Sequence, residues 1–461
     1  MTNSPFAPGW IQDAVFYQIF PDRFANGDPT NDPAGTQPWG SSPTWNNFCG
    51  GDLQGILDHL DHLEKLGITA LYLTPIFKAR SNHKYDTCDY LSVDPAFGSN
   101  ELLRQLVDAC HARGIRVVLD AVFNHSGDGF WAFEDLCQQG TASVYADWFF
   151  PGDFPVQQDP PNYQTCGGAG FLPKLNTANP ALREYLLHVS RYWLEQAHTD
   201  GWRLDVPWKA PLDFWREFRQ AVKTSNPEAY IVGEVWRDPA PWLAGDTCDG
   251  IMNYPLRDAI LEYCVRDTMD AEDFDYVTGR LRQIYGLTSP FQLNLLGSHD
   301  TPRLLTICGG NNRRAVLAIT AQFTAVGVPM VYYGDEVGLE GENDPGCRGC
   351  MPWEPQTWNQ MLLNVYQTLI RTRHDHPALR SDSFESLKVF NGIYAYRRVL
   401  GEDQVVVVLN PRQAYPNFNL PLAGPQAWLD ILSGQAYHTS GGMLQLDCLS
   451  AQTALVLVPQ S

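Results

Sequence analysis

DGWRLDVPW, residues 200–208, sets Arg203 and Asp205 two apart inside an otherwise apolar run. Strand side chains alternate faces with a period of two, so these two project to the same side. A buried strand that aims opposite charges into one place holds either a plain ion pair or a reactive site. Buried pairs rarely help stability, which weighs toward the site.

Runs of the same kind recur on both sides of it: AVFYQIF (14–20), ALYLTPIF (70–77), RVVLDAVF (116–123), YIVGEVW (230–236), GIMNY (250–254), QLNLLGSHD (292–300) and VPMVYYGDE (328–336). Amphipathic stretches separate them, such as LQGILDHLDHLEKLG (53–67) and ELLRQLVDACHARG (101–114), each closed by a glycine suited to a helix end. Eight strands with intervening helices predict a parallel sheet closed into a (β/α)8 TIM barrel. An open doubly wound sheet would carry a Gly-rich phosphate loop after its first strand; here that strand runs into PDRFANGD. The connection from His125 to Leu175 is roughly 50 residues, where such loops usually have about 2–6. Its aromatic, Pro- and Gly-rich composition predicts an inserted subdomain over 126–176. The barrel is then expected over 1–125 and 177–385. From 386 to 461, runs such as FNGIYAYRRVL, QVVVVLN, AWLDILSG and ALVLVPQ predict an all-β C-terminal domain.

The 461 residues carry 32 Lys and Arg against 52 Asp and Glu, a net charge of −20. That surface disfavours nucleic acid and anionic lipid and leaves neutral or cationic substrates open. No apolar run is long enough to span a bilayer. MTNSPFAPGW has neither a basic nor an apolar leader region, so no signal peptide is expected. With that, eleven cysteines suggest free thiols in a reducing cytoplasm. Cys347 and Cys350 form a C-x-x-C pair without the second ligand pair that zinc needs.

In barrels of this type the active site lies at the C-terminal strand ends. Those ends read Asp120 and Asn124–His125, then Arg203 and Asp205, then Glu234, then His299–Asp300. Three carboxyls, two histidines and an arginine thus converge on one mouth, where each alone could equally be a cap or a buried ion pair. An arginine beside Asp205 is expected to favour its ionised form. The apolar neighbours of Glu234 in VGEVW are expected to raise its pKa.

AVFNHSG (121–127), GWRLDVPW, IVGEVW and SHDTPR resemble, in order, the four signature regions of the α-amylase family of glycoside hydrolases. FLPKLN (171–176) and SNHKYDTCDY (81–90) resemble its cyclomaltodextrinase, neopullulanase and maltogenic amylase group. The resemblance implies Asp205 as nucleophile, Glu234 as acid/base and Asp300 as third carboxyl. It implies sugar contacts from His83, Tyr85, Asp86, His125, Arg203, His299 and the Asp344–Arg348 pair, the last also readable as a local salt bridge. It further implies a structural Ca2+ held by Asn26, Asp28, Asn31, Asp32, Gly50 and Asp52; the stretch lacks the closing Glu of an EF-hand and, without an ion, would be an Asx-rich turn.

Two departures stand out. Asp205–Val206 is followed by Pro207–Trp208–Lys209, where the group usually has Ala-Asn-Glu, so Trp208 is a candidate stacking surface. The first strand also begins about fourteen residues in, so the group's N-terminal β-sandwich domain is not expected, a homodimer would use another surface, and a more open cleft would admit longer or branched chains. The implied function is retaining hydrolysis of α-1,4 and α-1,6 links in cyclodextrin, pullulan, starch or glycogen fragments, including debranching. A transglycosylase or trehalose synthase-like isomerase would use the same residues. A non-catalytic glucan-binding protein would have no need of all three carboxyls.

Overall fold

The computed structural model describes residues 7–460. The leader reading rests partly on residues 1–6, outside that range. All eight barrel runs form strands: β1 (Phe16–Ile19), β2 (Ala70–Leu73), β3 (Arg116–Ala121), β4 (Gly201–Leu204), β5 (Tyr230–Gly233), β6 (Gly250–Ile251), β7 (Leu293–Asn294) and β8 (Val328–Tyr332). Each pairs in parallel with the next from β2 to β6, and β1 joins β2 to β8. β8 pairs with β7, and a parallel bridge from Met252 to Leu293 joins β6 to β7 and closes the ring.

Residue parity decides what each strand offers. Phe16, Ala70, Tyr72, Val118, Tyr230, Val232, Leu293, Val328 and Met330 fill one buried cluster inside the barrel. The alternate residues, among them Tyr17, Leu71, Val117, Leu119, Trp202 and Ile231, belong to the larger cluster outside it. Asp120 follows Val118 by two, and Glu234 follows Val232 by two. Arg203 pairs in register with Asp120 and Val232. The polar groups therefore continue the inward face just above the apolar plug.

The amphipathic stretches fold as helices, with one difference. Residues 53–67 make two helices, Leu53–Asp58 and Leu60–Leu66, because His59 leaves helical geometry (φ −110°, ψ 15°). Its ring Nδ1 meets the Gly55 carbonyl at 2.8 Å, so a side chain bonds the backbone where the helix would continue. Gly67, at φ 88°, ends the second helix in the left-handed conformation that a side chain would strain. Asn100–Ala112 is capped by Ser99, whose hydroxyl accepts the Leu102 N–H at 3.1 Å.

After β2 the chain makes a small hairpin, Phe77–Ala79 with Thr87–Val93. Residues 126–176 hold one α-helix, Trp131–Gln139, two short 3-10 turns, Gly140–Ala142 and Ala146–Trp148, and isolated bridges such as Thr165 to Pro173. From Glu385 onward, eight strands form an antiparallel sheet with its own core around Val406, Phe418, Leu420 and Trp428. Among the described residues no helix is long and apolar enough to cross a membrane. All eleven cysteines are free, Cys347 and Cys350 included.

Gly201 opens β4 where a Cβ would lie 2.1 Å from the Tyr230 carbonyl oxygen on β5. Gly201→Ala is expected to push those strands apart and cost at least about 2 kcal/mol, read as a lowered urea midpoint. An unchanged midpoint would contradict this close packing.

Candidate active site

One buried guanidinium organises the barrel mouth. Arg203 Nη1 donates to both Asp120 oxygens and to Asp205 Oδ1, each at 2.9 Å. Its Nη2 lies 2.9 Å from Glu234 Oε2. Asp205 and Glu234 thus sit against the two arms of a single group. Asp120 is held further by Tyr72 Oη at 2.6 Å and Tyr85 Oη at 2.9 Å. It is fully engaged in orienting its neighbours.

Asp300 joins the group from the loop after β7. It lies 3.2 Å from His299 Nε2 and 3.4 Å from Arg348 Nη2, and its side chain is 29% exposed. His299 Nε2 also meets Tyr85 Oη at 2.6 Å, and the two rings stack at 10°. Gln18, on β1, donates to His299 Nδ1 at 2.8 Å, which leaves the ring proton on Nε2. Arg348 donates to the His299 carbonyl at 2.9 Å and pairs with Asp344 at 3.3 Å. The Asp344–Arg348 pair is therefore both a local salt bridge and part of the carboxyl cluster.

Charge is unbalanced here: Asp120, Asp205, Glu234, Asp300 and Asp344 surround Arg203 and Arg348. Burial pushes all five carboxyls up, and the two arginines pull against it. For Asp205, burial and the neighbouring Glu234, Asp120 and Asp300 push its carboxyl up, while Arg203 favours the ionised form as expected. Glu234 moves up with burial as expected, but its carboxyl also meets polar donors. Its Oε2 accepts the Val206 N–H at 2.9 Å and its Oε1 accepts the Trp236 indole N–H at 2.7 Å. Val206 gives that N–H from a left-handed backbone (φ 34°), an unusual state for a β-branched residue.

The histidines face the other way electrically. Burial lowers His83 to about 3 and His125 to about 4, and pushes His299 well below the usual range. All three are neutral at pH 7, suited to hydroxyl groups rather than anions. His125 Nε2 is buried with no protein partner, an open hydrogen-bonding position. His83 Nδ1 accepts the Tyr85 N–H at 3.1 Å.

Asp86 turns its carboxylate to the backbone. Its carboxylate accepts the Arg80 and Ser81 N–H groups at 3.1 Å and the Ser81 hydroxyl. It shapes the turn that presents His83 and Tyr85. Trp208 is 43% exposed on the Pro207–Lys209 turn. Two aromatics at this site escaped the sequence reading: Trp236, stacked on Tyr254 at 3.6 Å, and Trp45, 5.6 Å from the Arg348 guanidinium. Trp236 was legible in principle, because it shares parity with Glu234; Trp45 lies in a loop and gave no periodic signal.

The oxygen-rich loop near residues 26–52 is partly spent on itself. Asp52 accepts four donors, from Gly27 N, Asp28 N, Asn31 Nδ2 and Gly55 N at 2.7–3.1 Å, as cap of the Leu53 helix. Its carboxylate oxygens are thus largely occupied, which leaves Asp52 at the edge of any ion site. Asp28 Oδ1 accepts from the Thr30 amide and hydroxyl. What remains fits a hard cation: the Asn26 and Asn31 amide oxygens are buried without donors. Asp32 lies beside them and accepts from Asn26 Nδ2 at 2.9 Å. Burial raises Asp32, and neighbouring Asp52 and Asp28 add to that, a repulsion that a bound cation relieves. A Cβ at Gly50 would lie 2.3 Å from Asp32 Oδ1, so only glycine lets the backbone approach this closely. Among the described residues no group of three or more His, Cys, Asp and Glu side chains is arranged as a metal site, so amide and backbone oxygens would supply much of the coordination.

Residues 18–382 match the α-amylase catalytic domain family. The chain is 48% identical over 437 residues to the cyclomaltodextrinase of Geobacillus thermopakistaniensis, covering 94% of this chain and 74% of that one. It is 47% identical to neopullulanase 2 of Thermoactinomyces vulgaris, over 95% of this chain and 76% of the relative. The solved cyclic α-maltosyl-(1→6)-maltose hydrolase of Arthrobacter globiformis, in complex with that sugar, superposes with a TM-score of 0.89 at 44% identity. There the match covers 98% of this chain and all of the other. The chain belongs to the α-amylase family and is a glycoside hydrolase.

Replacing the central cation leaves several buried carboxyls without a partner. Arg203→Met is expected to cost about 3–5 kcal/mol of stability, seen as a lower melting temperature, and to abolish turnover. Near-normal melting would show that the carboxyls do not depend on it.

Proposed function

We propose that this protein is a retaining α-glucan hydrolase acting on α-1,4 and α-1,6 links, with Asp205 as nucleophile, Glu234 as acid/base and Asp300 as transition-state support. The observation that carries this reading is one guanidinium touching both Asp205 and Glu234, with Asp300 tied to the same cluster through His299 and Arg348. Asp205 attacks the anomeric carbon while Glu234 gives a proton to the leaving oxygen. Esterification removes the charge of Asp205, and the Glu234 carboxyl then becomes more acidic. That change suits it to take a proton from the incoming water.

His83, His125, His299 and Tyr85 would hold the sugar, the histidines as neutral donors and acceptors. Arg348 and Asp344 would reach the next ring, and Trp208 would supply an apolar face beyond the scissile bond. An acidic surface suits a neutral polymer. Relatives named for cyclodextrin, pullulan and a cyclic sugar with 1→6 links support both linkages. Free cysteines support a cytoplasmic setting.

Chromatography of digests of β-cyclodextrin, pullulan and cyclic α-maltosyl-(1→6)-maltose, with proton NMR of the first anomer released, tests the reading. Release of α-anomers is expected. Trehalose from maltose would favour an isomerase, and no product from any of the sugars would favour a binding protein. Asp205→Asn is expected to lower kcat on the order of 10⁴-fold or more while still binding the sugar.

We also propose that Asn26, Asn31, Asp32, Gly50 and the neighbouring Asp28 and Asp52 hold a structural Ca2+. Bound Ca2+ would supply charge neutralisation and tie the first barrel loop together, with no part in bond cleavage. Chelation is expected to lower the melting temperature, and Ca2+ at about 100 times its Kd to restore roughly 2.7 kcal/mol. A melting curve indifferent to both would remove the site.

A further inference from the structure

Glu234 is not held by Arg203 alone. Trp236, two residues on, donates its indole N–H to Glu234 Oε1 at 2.7 Å. That ring cannot swing freely, because it stacks on Tyr254 at 3.6 Å with 13° between the planes. Tyr254 is buried, and its hydroxyl meets Ser298 Oγ at 3.3 Å. Ser298 Oγ also accepts the Asp300 N–H at 3.3 Å. One run of contacts thus links Glu234 to the Asp300 backbone.

The two Glu234 oxygens are unequal. Oε2 accepts the Val206 N–H and lies against Arg203, each at 2.9 Å. Oε1 accepts from Trp236 only. A carboxyl oxygen offers two lone-pair directions, so Oε1 keeps one in which a proton sits without displacing a donor. The indole N–H occupies the other and fixes where that proton points. Trp236 itself is 38% exposed, so this corner borders the open cleft.

We propose that Trp236 is a positioning residue for bond cleavage: its indole N–H, clamped by Tyr254, aims Oε1 of Glu234 at the leaving oxygen and sets the acidity of that carboxyl. This rests on Glu234 being the acid/base. A hydrogen bond donated to a carboxylate favours its charged form and holds its pKa down, against the upward push of burial. Loss of the N–H lets the pKa rise. The acid must be protonated to act, so the alkaline limb of kcat/KM moves to higher pH while the rate at the optimum falls.

Trp236→Phe keeps a ring on Tyr254 and removes the donor. On maltotriose, whose leaving group needs a proton, the alkaline limb is expected to rise by about one pH unit. The optimum kcat is expected to fall roughly tenfold or more. On α-maltosyl fluoride, which departs without protonation, the variant keeps most of its activity. A limb that stays or moves down, or equal losses on both substrates, overturns the proposal. A second measurement needs no altered Trp236. In the wild type the Trp236 indole N–H resonance should titrate with the alkaline limb and lose that titration in Glu234→Gln; an indole signal indifferent to both also overturns it. Glu234→Gln separates the two readings. Near-normal turnover of maltotriose there sinks the acid/base assignment itself. An inactive Glu234→Gln beside an unmoved Trp236→Phe limb sinks only the role of Trp236.

Discussion

The barrel mouth depends on Arg203, a wholly buried guanidinium shared by carboxyls from three adjacent strands. Asp120 comes from β3, Asp205 follows β4, and Glu234 follows β5. A cation at this depth is tolerable only with carboxylates beside it. The register that pairs Asp120 with Arg203 and Arg203 with Val232 supplies them. A one-residue slip of β4 would turn Arg203 into the apolar outer layer and Trp202 into the barrel. Strand pairing, barrel closure and site geometry are therefore one condition.

The strands were legible because they are buried on both faces and read as apolar runs closed by turn residues. The shared inward parity of Arg203 and Asp205 was legible too, and position at strand ends brought Asp120 and Glu234 to the same mouth. The surroundings of Glu234 were misread for the same geometric reason. Gly233 and Val235 flank it in sequence, but alternate residues face away from one another. The immediate neighbours Gly233 and Val235 therefore say what lies on the far side of the strand, not what touches the carboxyl. Trp236, two residues on, does touch it.

Asp86 and Asp52 show a second limit. Both belong to polar stretches that resemble binding motifs, yet each spends its carboxylate on backbone amides, Asp86 in a turn and Asp52 at a helix start. Short-range capping competes for the same oxygens as a ligand does. Spacing cannot say which wins, since the outcome depends on where the neighbouring amides point. Trp45 had no pattern to betray it, because its neighbour Arg348 lies some three hundred residues away in the chain.

Strain at Val206 completes the logic of the cluster. A β-branched residue at φ 34° persists only where its surroundings over-determine it. Ahead of it, β4 ends with Leu204 in register with Gly233. Behind it, Pro207 disfavours an ordinary helical conformation in the residue it follows. What the contorted amide gains is a charge-assisted bond to Glu234 Oε2 at 2.9 Å. Arg203, Val206 and Trp236 then approach one carboxyl from three sides, from a strand, a strained turn and a stacked ring. Carboxyls crowded five to two against arginines would otherwise rotate or share protons at random. Fixing the orientation of Glu234 by separate elements leaves its protonation, rather than its position, free to change through the reaction.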